Sequence, residues 1–343
     1  MRSTHLSPQE TTVNTPTKLS TVLSITIVVL AVVSLDLGAE SIDVLTALKS
    51  LLSDAPSIDA IILSELRLPR VLIAMAVGAS LGVCGAAMQG LLRNPLASPG
   101  LIGSSSGAAL GAVIVLYFGL GAGFAQAVPL AGMLGSLIAT ALVFLLAGRE
   151  ANVTTLILAG VAVNAMATAS MSLLLNFAPS PFAMRELVLW TLGDLSDRSM
   201  LDLWVMLPCT LVGWFLLVGC GRQLDALTLG ERTASSLGVS PGFLRWRIFI
   251  AVSLAVGAAV ATTGMIGFIG LVVPHLIRPW VGHAPGKLLV PSALGGSAML
   301  LAADIGVRLI PTQNLLKVGV LTSLVGAPFF LHLILRSRRH GYR

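Results

Sequence analysis

The sequence predicts an all-α membrane protein with about ten crossings, and three observations predict it. Of 343 residues, 55% are hydrophobic and 10% are charged, with a mean hydropathy of +0.93. A soluble domain carries about 25% charged residues, so this chain lacks the polar groups to cover a water-facing surface. The uncharged stretches are long enough to cross lipid, and Lys and Arg segregate between the connections that join them.

Uncharged runs cover 19–35, 71–92, 94–148, 151–184, 203–221, 248–277, 288–303 and 318–335. A crossing needs roughly 20 apolar residues, with a lower limit near 17. The 94–148 run therefore holds two crossings, split at Gly119, Gly121 and Gly123. The 248–277 run holds two only if Arg245, Arg247 and Arg278 share one interface, with a turn near Thr262–Gly267. Counting leaves nine or ten spans. With ten spans and a cytoplasmic N-terminus, 14 Lys and Arg fall inside and 7 outside, while acids divide 4 to 11. That asymmetry is the positive-inside pattern. It accounts for the net charge of +6 without any nucleic-acid partner.

Residues 1–18, rich in Ser, Thr and Pro, read as a disordered cytoplasmic N-terminus. Residues 19–336 read as the membrane domain, with a cytoplasmic segment at 222–241, and 337–343 as a basic cytoplasmic tail. Leu19 opens a retained first span, because no small-x-small cleavage site precedes Asp36. Cys84, Cys209 and Cys220 lie in apolar segments at no metal-ligand spacing and read as packing residues, with no metal site.

The second span repeats small residues at Gly78, Gly82, Ala86 and Gly90, and the third at Gly103, Gly107 and Gly111. In lipid such stripes permit close backbone approach, which drives helix packing and suits spans near a pathway. Polar residues within spans are few: Gln89, Asn164, Asn176 and His275. A proton- or ion-coupled carrier needs ionisable groups at mid-membrane. Their scarcity points to a neutral path for a bulky substrate driven from elsewhere. The Gly-rich phosphate loop of an ATPase is absent; Gly286-Lys287 is followed by Leu288 and lacks the upstream glycine. No catalytic triad or metal-ligand cluster appears either. Two rivals from other classes are an autonomous secondary transporter and a membrane-embedded enzyme with haem or metal ligands in its spans.

Three features suit contacts with partners. Thr228-Leu229-Gly230-Glu231 reads as a capping box opening a helix of about nine residues that Gly238 stops. It is too short to cross, and Leu229, Ala234 and Leu237 would form its apolar edge. Arg67 and Arg70 flank Leu68-Pro69 at the outer start of the second span. Arg308 follows Asp304 by four residues at the outer end of the ninth span, which reads as an exposed i,i+4 pair.

Several of these segments together resemble one family. Leu66-Arg67-Leu68-Pro69-Arg70, Gly78-Ala79-Ser80-Leu81-Gly82 and Asn94-Pro95-Leu96-Ala97-Ser98-Pro99-Gly100 are similar to FecCD/BtuC-type permeases. So are Leu229-Gly230-Glu231 with Leu237-Gly238, Gly267-Phe268-Ile269-Gly270-Leu271-Val272-Val273-Pro274-His275, and Gly326-Ala327-Pro328-Phe329-Phe330. The likeness spans roughly 20–337 in order. It implies a BtuC-like, type II ABC importer permease with ten transmembrane helices, in the inner membrane, both termini cytoplasmic. Implied partners are a second permease subunit (identical or paralogous), two cytosolic ATPases that bind ATP and Mg, a periplasmic or lipid-anchored binding protein, and the bilayer. The chain itself then needs no cofactor and has no catalytic residue. Leu229, Gly230, Glu231, Arg232, Leu237 and Gly238 would couple to the ATPase, and Arg67, Arg70 and Arg308 would receive acidic residues of the binding protein. Ferric-siderophore chelates lead as cargo, with cobalamin and haem open. One departure stands at Leu315-Leu316-Lys317, where the family often carries Glu-Leu-Pro. An acid and a proline are lost there and a cation is gained.

Overall fold

A computed structural model describes residues 15–38, 42–50, 57–120, 124, 126–148, 153–310 and 316–340. Every element in it is helical. In chain order these are α1 (Thr15–Asp36), α2 (Val44–Ser50), α3 (Ile58–Ile61), α4 (Leu68–Leu91), α5 (Ser104–Tyr117), α6 (Ala127–Ala147), α7 (Val153–Asn176) and α8 (Pro181–Thr191). There follow α9 (Met200–Leu217), α10 (Cys220–Leu227), α11 (Glu231–Ser236), α12 (Pro241–Thr263), α13 (Ile269–Val281), α14 (Pro285–Leu309) and α15 (Val318–His340). Among the described residues seven helices are long and apolar enough to cross a membrane, and three shorter apolar helices cover 104–117, 269–281 and 318–331. These are the ten positions expected from the uncharged runs, and the break within 248–277 falls at 264–268.

Domain edges shift slightly from expectation. Helix α1 begins at Thr15, so 15–18 are helical, and 1–14 lie outside the described residues. Helix α15 continues through 337–340, because no Gly or Pro stops it before His340. The predicted glycine break at 121 and 123 lies outside the described residues, between α5 and α6.

Small residues decide which helices meet. A Cβ on Gly78 or Gly82 of α4 would land on the backbone of Gly296 or Ser292 of α14, and Gly107 of α5 meets Gly135 of α6 in the same way. With little hydrophobic drive between helices in lipid, this backbone contact lets dispersion hold the bundle. Accordingly α4 packs along α14, α5 along α6, and α12 against α9 and α6. The apolar core of α4 is 83% buried whereas that of α1 is 11% buried, so α4 sits at the centre and α1 on the rim. Gly103, expected on the stripe of the third span, lies outside α5 at φ +76°, a left-handed turn that glycine adopts without strain.

Helices α5 and α13 are too short to cross alone. Their 14 and 13 residues span about 20 Å, against a hydrocarbon thickness of about 30 Å. A 3-10 turn at Pro99–Ile102 precedes α5 and the non-helical segment 264–268 precedes α13, and both run into the bundle. A Cβ on Gly85, in the body of α4, would strike the Gly270 carbonyl at the start of α13, and one on Gly270 would meet both Leu81 of α4 and Pro99. Broken backbone at membrane depth must find partners within the protein. Gln89 Nε2 donates to Leu271 O at 3.2 Å and Asn164 Nδ2 to Gly100 O at 2.8 Å. Two of the few polar residues in the spans thus tie the start of α13 to α4 and the turn before α5 to α7.

Candidate functional site

The predicted coupling segment is a small unit at one end of the bundle. Helix α10 carries a buried face of Cys220, Leu224 and Leu227. Asp225 Oδ1 accepts from Gly286 N at 2.7 Å, which caps the first turn of α14. Arg247 donates to Leu216 O at 2.6 Å and Val218 O at 2.5 Å, closing the last turn of α9. Helix α11 is held by Ala234, which is fully buried, and by an ion pair from Glu231 to Arg245 of α12 at 2.7 Å.

Two expectations change here. No capping box forms, because Thr228 ends α10 and its hydroxyl donates to Asp225 O, while Gly230 precedes α11 at φ +99°. The apolar edge also splits: Ala234 turns inward, whereas Leu229 and Leu237 are each 62% exposed on either side of α11. Arg232 is exposed between them. Glu231 was expected to face a partner, yet one of its oxygens serves Arg245. The result is two exposed leucines beside a cation on a firmly held base. Exposed leucines at a bundle end, rather than on its lipid-facing sides, suit contact with a partner. Arg245 and Arg247 are legible in the sequence only as markers of an interface, and Asp225 only as a charge beside an apolar span.

At the opposite end, Arg67, Arg70 and Arg308 form a clamp instead of three exposed posts. Asp304 is 1% exposed and accepts from Arg70 Nη2 at 2.7 Å, Arg70 Nε at 3.0 Å and Arg308 Nη2 at 2.7 Å. Arg308 Nη1 also donates to Ser34 O and Leu37 O at 2.9 Å, and its Nη2 to Ser34 Oγ. Arg67, 6% exposed, donates to Leu35 O and Asp36 O at 2.6 Å. Three of those carbonyls end α1 and the fourth, of Leu37, directly follows it; the last carbonyls of a helix have no partner within it. Two cations there offset the negative end of its dipole. The Asp304–Arg308 pair is therefore part of a buried network, not a surface pair. Just before this corner the chain widens into a π-helical turn at Ile62–Arg67, where Leu68 N donates to Leu63 O and Pro69 has no N–H to give.

The cation gained at Lys317 also has a partner. Lys317 Nζ pairs with Asp194, Asp194 N donates to Thr263 O at 2.7 Å, and Gly319 N to Gly193 O at 3.1 Å. The loop after α8, the end of α12 and the start of α15 are thereby joined. Burial raises the Asp194 pKa, but hydrogen bonds from Lys317 and Ser196 outweigh it and hold the carboxyl below its ordinary value. A cavity of about 470 Å³ opens beside this junction, lined by Leu192, Met265, Gly319 and Ser323. A second, of about 220 Å³, lies deeper between the broken spans, lined by Leu81, Ser98, Pro99, Ser105 and Phe268. Of the predicted pathway glycines, Gly78, Gly82 and Gly107 serve helix contacts, Gly90 meets Pro285, and Gly103 forms the turn into α5. None of these five lines either of those cavities, but Gly107 lines one of about 400 Å³ between α5, α6 and α7, and Gly90 one of about 210 Å³ at the end of α4.

Comparison with known proteins bears on this architecture directly. The profile of the FecCD transport family matches residues 26–336. The chain is 41% identical over 324 residues to the hemin transport system permease protein HmuU of Yersinia pestis, covering 92% of this chain and 95% of that protein. It is 40% identical over 276 residues to the vitamin B12 import system permease protein BtuC of Vibrio cholerae, covering 80% and 82%. A solved structure described as an inward-facing conformation of a metal-chelate type ABC transporter superposes with a TM-score of 0.83. Its sequence identity is 30%, over 93% of this chain and 99% of that one. The chain belongs to the FecCD transport family: it is a multi-pass membrane permease subunit of an ABC importer, and it neither binds nucleotide nor hydrolyses it.

Proposed function

We propose that this permease imports an iron-bearing chelate, a ferric siderophore or haem, across the cytoplasmic membrane, driven by a separate ATPase pair. The observation that carries the cargo class is the 41% identity to a haemin permease over nearly the full length of both chains. A vitamin B12 permease at 40% identity keeps cobalamin as the second reading. In this reading the end carrying α10 and α11 is cytosolic, as are both termini, and a second permease subunit completes the pathway. The ATPase grips Leu229, Arg232 and Leu237, and the base held by Asp225, Arg245 and Arg247 passes its closure to α9, α12 and α14. Alternating access follows as the ATPase binds and hydrolyses ATP. A loaded binding protein docks at the far end, on the surface that the Arg67–Arg70–Arg308 clamp keeps rigid. The buried guanidinium groups support that surface more than they reach out from it.

The test is uptake by proteoliposomes holding permease, ATPase and binding protein, with ferric hydroxamate, ferric catecholate, haemin and cobalamin in competition. The proposal expects ATP-dependent uptake of an iron chelate. Preference for cobalamin would move the cargo to the second reading. Accumulation against a gradient by the permease without an ATPase would overturn the mechanism.

A further inference from the structure

The end of the bundle that carries the coupling segment holds a basic cavity that the transport cycle above does not use. It has a volume of about 210 Å³ and lies where α4, α10, α13 and α14 end or begin. Arg93, Arg278 and His283 line it together with Gln89, Asn94 and Thr228, and none of its lining residues is acidic. Arg278 is half-buried and donates from Nη2 to the neutral Gln89 Oε1 at 2.6 Å. Among the described residues neither Arg93 nor Arg278 has a carboxylate in ion-pair range, in contrast to Arg70, Arg245 and Arg308. Asp225, close by in α10, is turned to Gly286 N instead. A half-buried guanidinium without an anion is costly, and beside Arg278 the exposed Arg93 brings a second guanidinium to the same cavity, whose lining holds no carboxylate.

We propose that this cavity is a phosphate site, filled by the headgroup of an anionic phospholipid. Two guanidinium forks match phosphate oxygens, which accept bidentate bonds. The depth is right: Trp280, 64% exposed one turn beyond the middle of α13, marks the membrane interface, where Trp is enriched. Basic pockets between transmembrane helices at that level hold lipid headgroups. Pro95, Pro285 and Leu288 add an apolar wall beside the cations. An occupant would tie the 93–95 turn and the α13–α14 turn to Thr228, the residue that opens the coupling segment. Bound lipid thus stiffens the base from which Leu229 and Leu237 project.

The experiment is titration of the delipidated full-length chain in detergent with phosphatidylglycerol, phosphatidylcholine or inorganic phosphate. Binding is followed by native mass spectrometry and by thermal unfolding. Wild-type protein should bind phosphatidylglycerol saturably and in preference to phosphatidylcholine, with affinity falling roughly tenfold in Arg93→Gln and in Arg278→Gln. Arg278→Lys, which keeps the charge and loses the fork, should fall between. An arginine-dependent response to inorganic phosphate as well would assign the site to free anions too; a response to phosphatidylglycerol alone assigns it to the headgroup. Equal binding by wild type and Arg93→Gln with both probes would overturn the proposal, and Arg93 is exposed enough for its variant to fold. Neither cargo nor ATPase enters the measurement, so its failure is separate from any failure of the transport assignment.

Discussion

Replacing Asp304 by Asn removes the one anion on which Arg70 and Arg308 both close. The carboxylate is 1% exposed, and its two arginines are 19% and 13% exposed. An amide of the same shape keeps one acceptor and turns an NH2 group toward guanidinium donors. Breaking a buried pair by removing one partner costs about 3–5 kcal/mol. The partial exposure of both cations puts this case near the lower end, at about 3 kcal/mol. A chain of this size would then lose roughly 5 °C of thermal stability. A thiol-reactive fluorophore reads the transition in a Cys209→Ser background, because Cys84 and Cys220 are buried and become reactive only on unfolding, whereas Cys209 is partly exposed in the fold. The loss should appear first as freed α1, since Arg308 loses its grip on Ser34 and Leu37 when its own anchor goes. Unfolding within 1 °C of wild type would refute the clamp. It would return Arg70 and Arg308 to the role of exposed posts.

Substituting Leu229 and Leu237 together by Ser should leave the folded permease intact and reduce transport-coupled ATP hydrolysis by about tenfold or more, measured in proteoliposomes; wild-type coupling would remove α11 from the contact. Gly82→Ala places a methyl on the Ser292 carbonyl, a backbone atom that cannot swing away, and should destabilise by about 1–3 kcal/mol or more in the same thiol assay. Asp194→Asn tests the Lys317 junction through pH. The folded pKa of Asp194 is lowered from 3.8, so its stabilisation is fully present above that value and is lost as pH falls through the lower folded value. The stability gap between wild type and variant should be constant from about pH 8 to 5 and close below about pH 4. A gap that closed near neutrality would show that another group carries the effect.

Much of this was legible in the chain. The lipid environment follows from a charged content of 10%, because no fold can hide that much apolar surface from water. Rough span limits and a count of nine or ten crossings follow from uncharged runs, since hydrocarbon thickness sets a minimum length; the family resemblance adds the choice of ten. The stripe at Gly78 and Gly82 announced close packing, though not that α14 would be the partner; stripes encode contact distance and say nothing of the neighbour. Family membership was legible too, because several separated motifs stand in one order.

Other features required the third dimension. Whether an arginine faces water or a helix end depends on what lies 30 residues earlier or over 230 later: Arg67 reaches Leu35 and Asp36, and Arg70 reaches Asp304. Glu231 could not be assigned to Arg245, nor Lys317 to Asp194, from spacing, because loops bring those pairs together. The incomplete spans at α5 and α13 looked like ordinary apolar runs, and only their contacts with Gln89 and Asn164 show that they break inside the bundle. Composition and periodicity report the solvent that each segment meets, whereas ion pairs and carbonyl caps are set by distances between segments. The sequence by itself determined what kind of medium this chain occupies and, to within one, how often it crosses. Tertiary structure alone decided which charges are spent on internal pairs and which, at Arg93 and Arg278, share a cavity whose lining holds no carboxylate, because the lining comes from the ends of four separate helices.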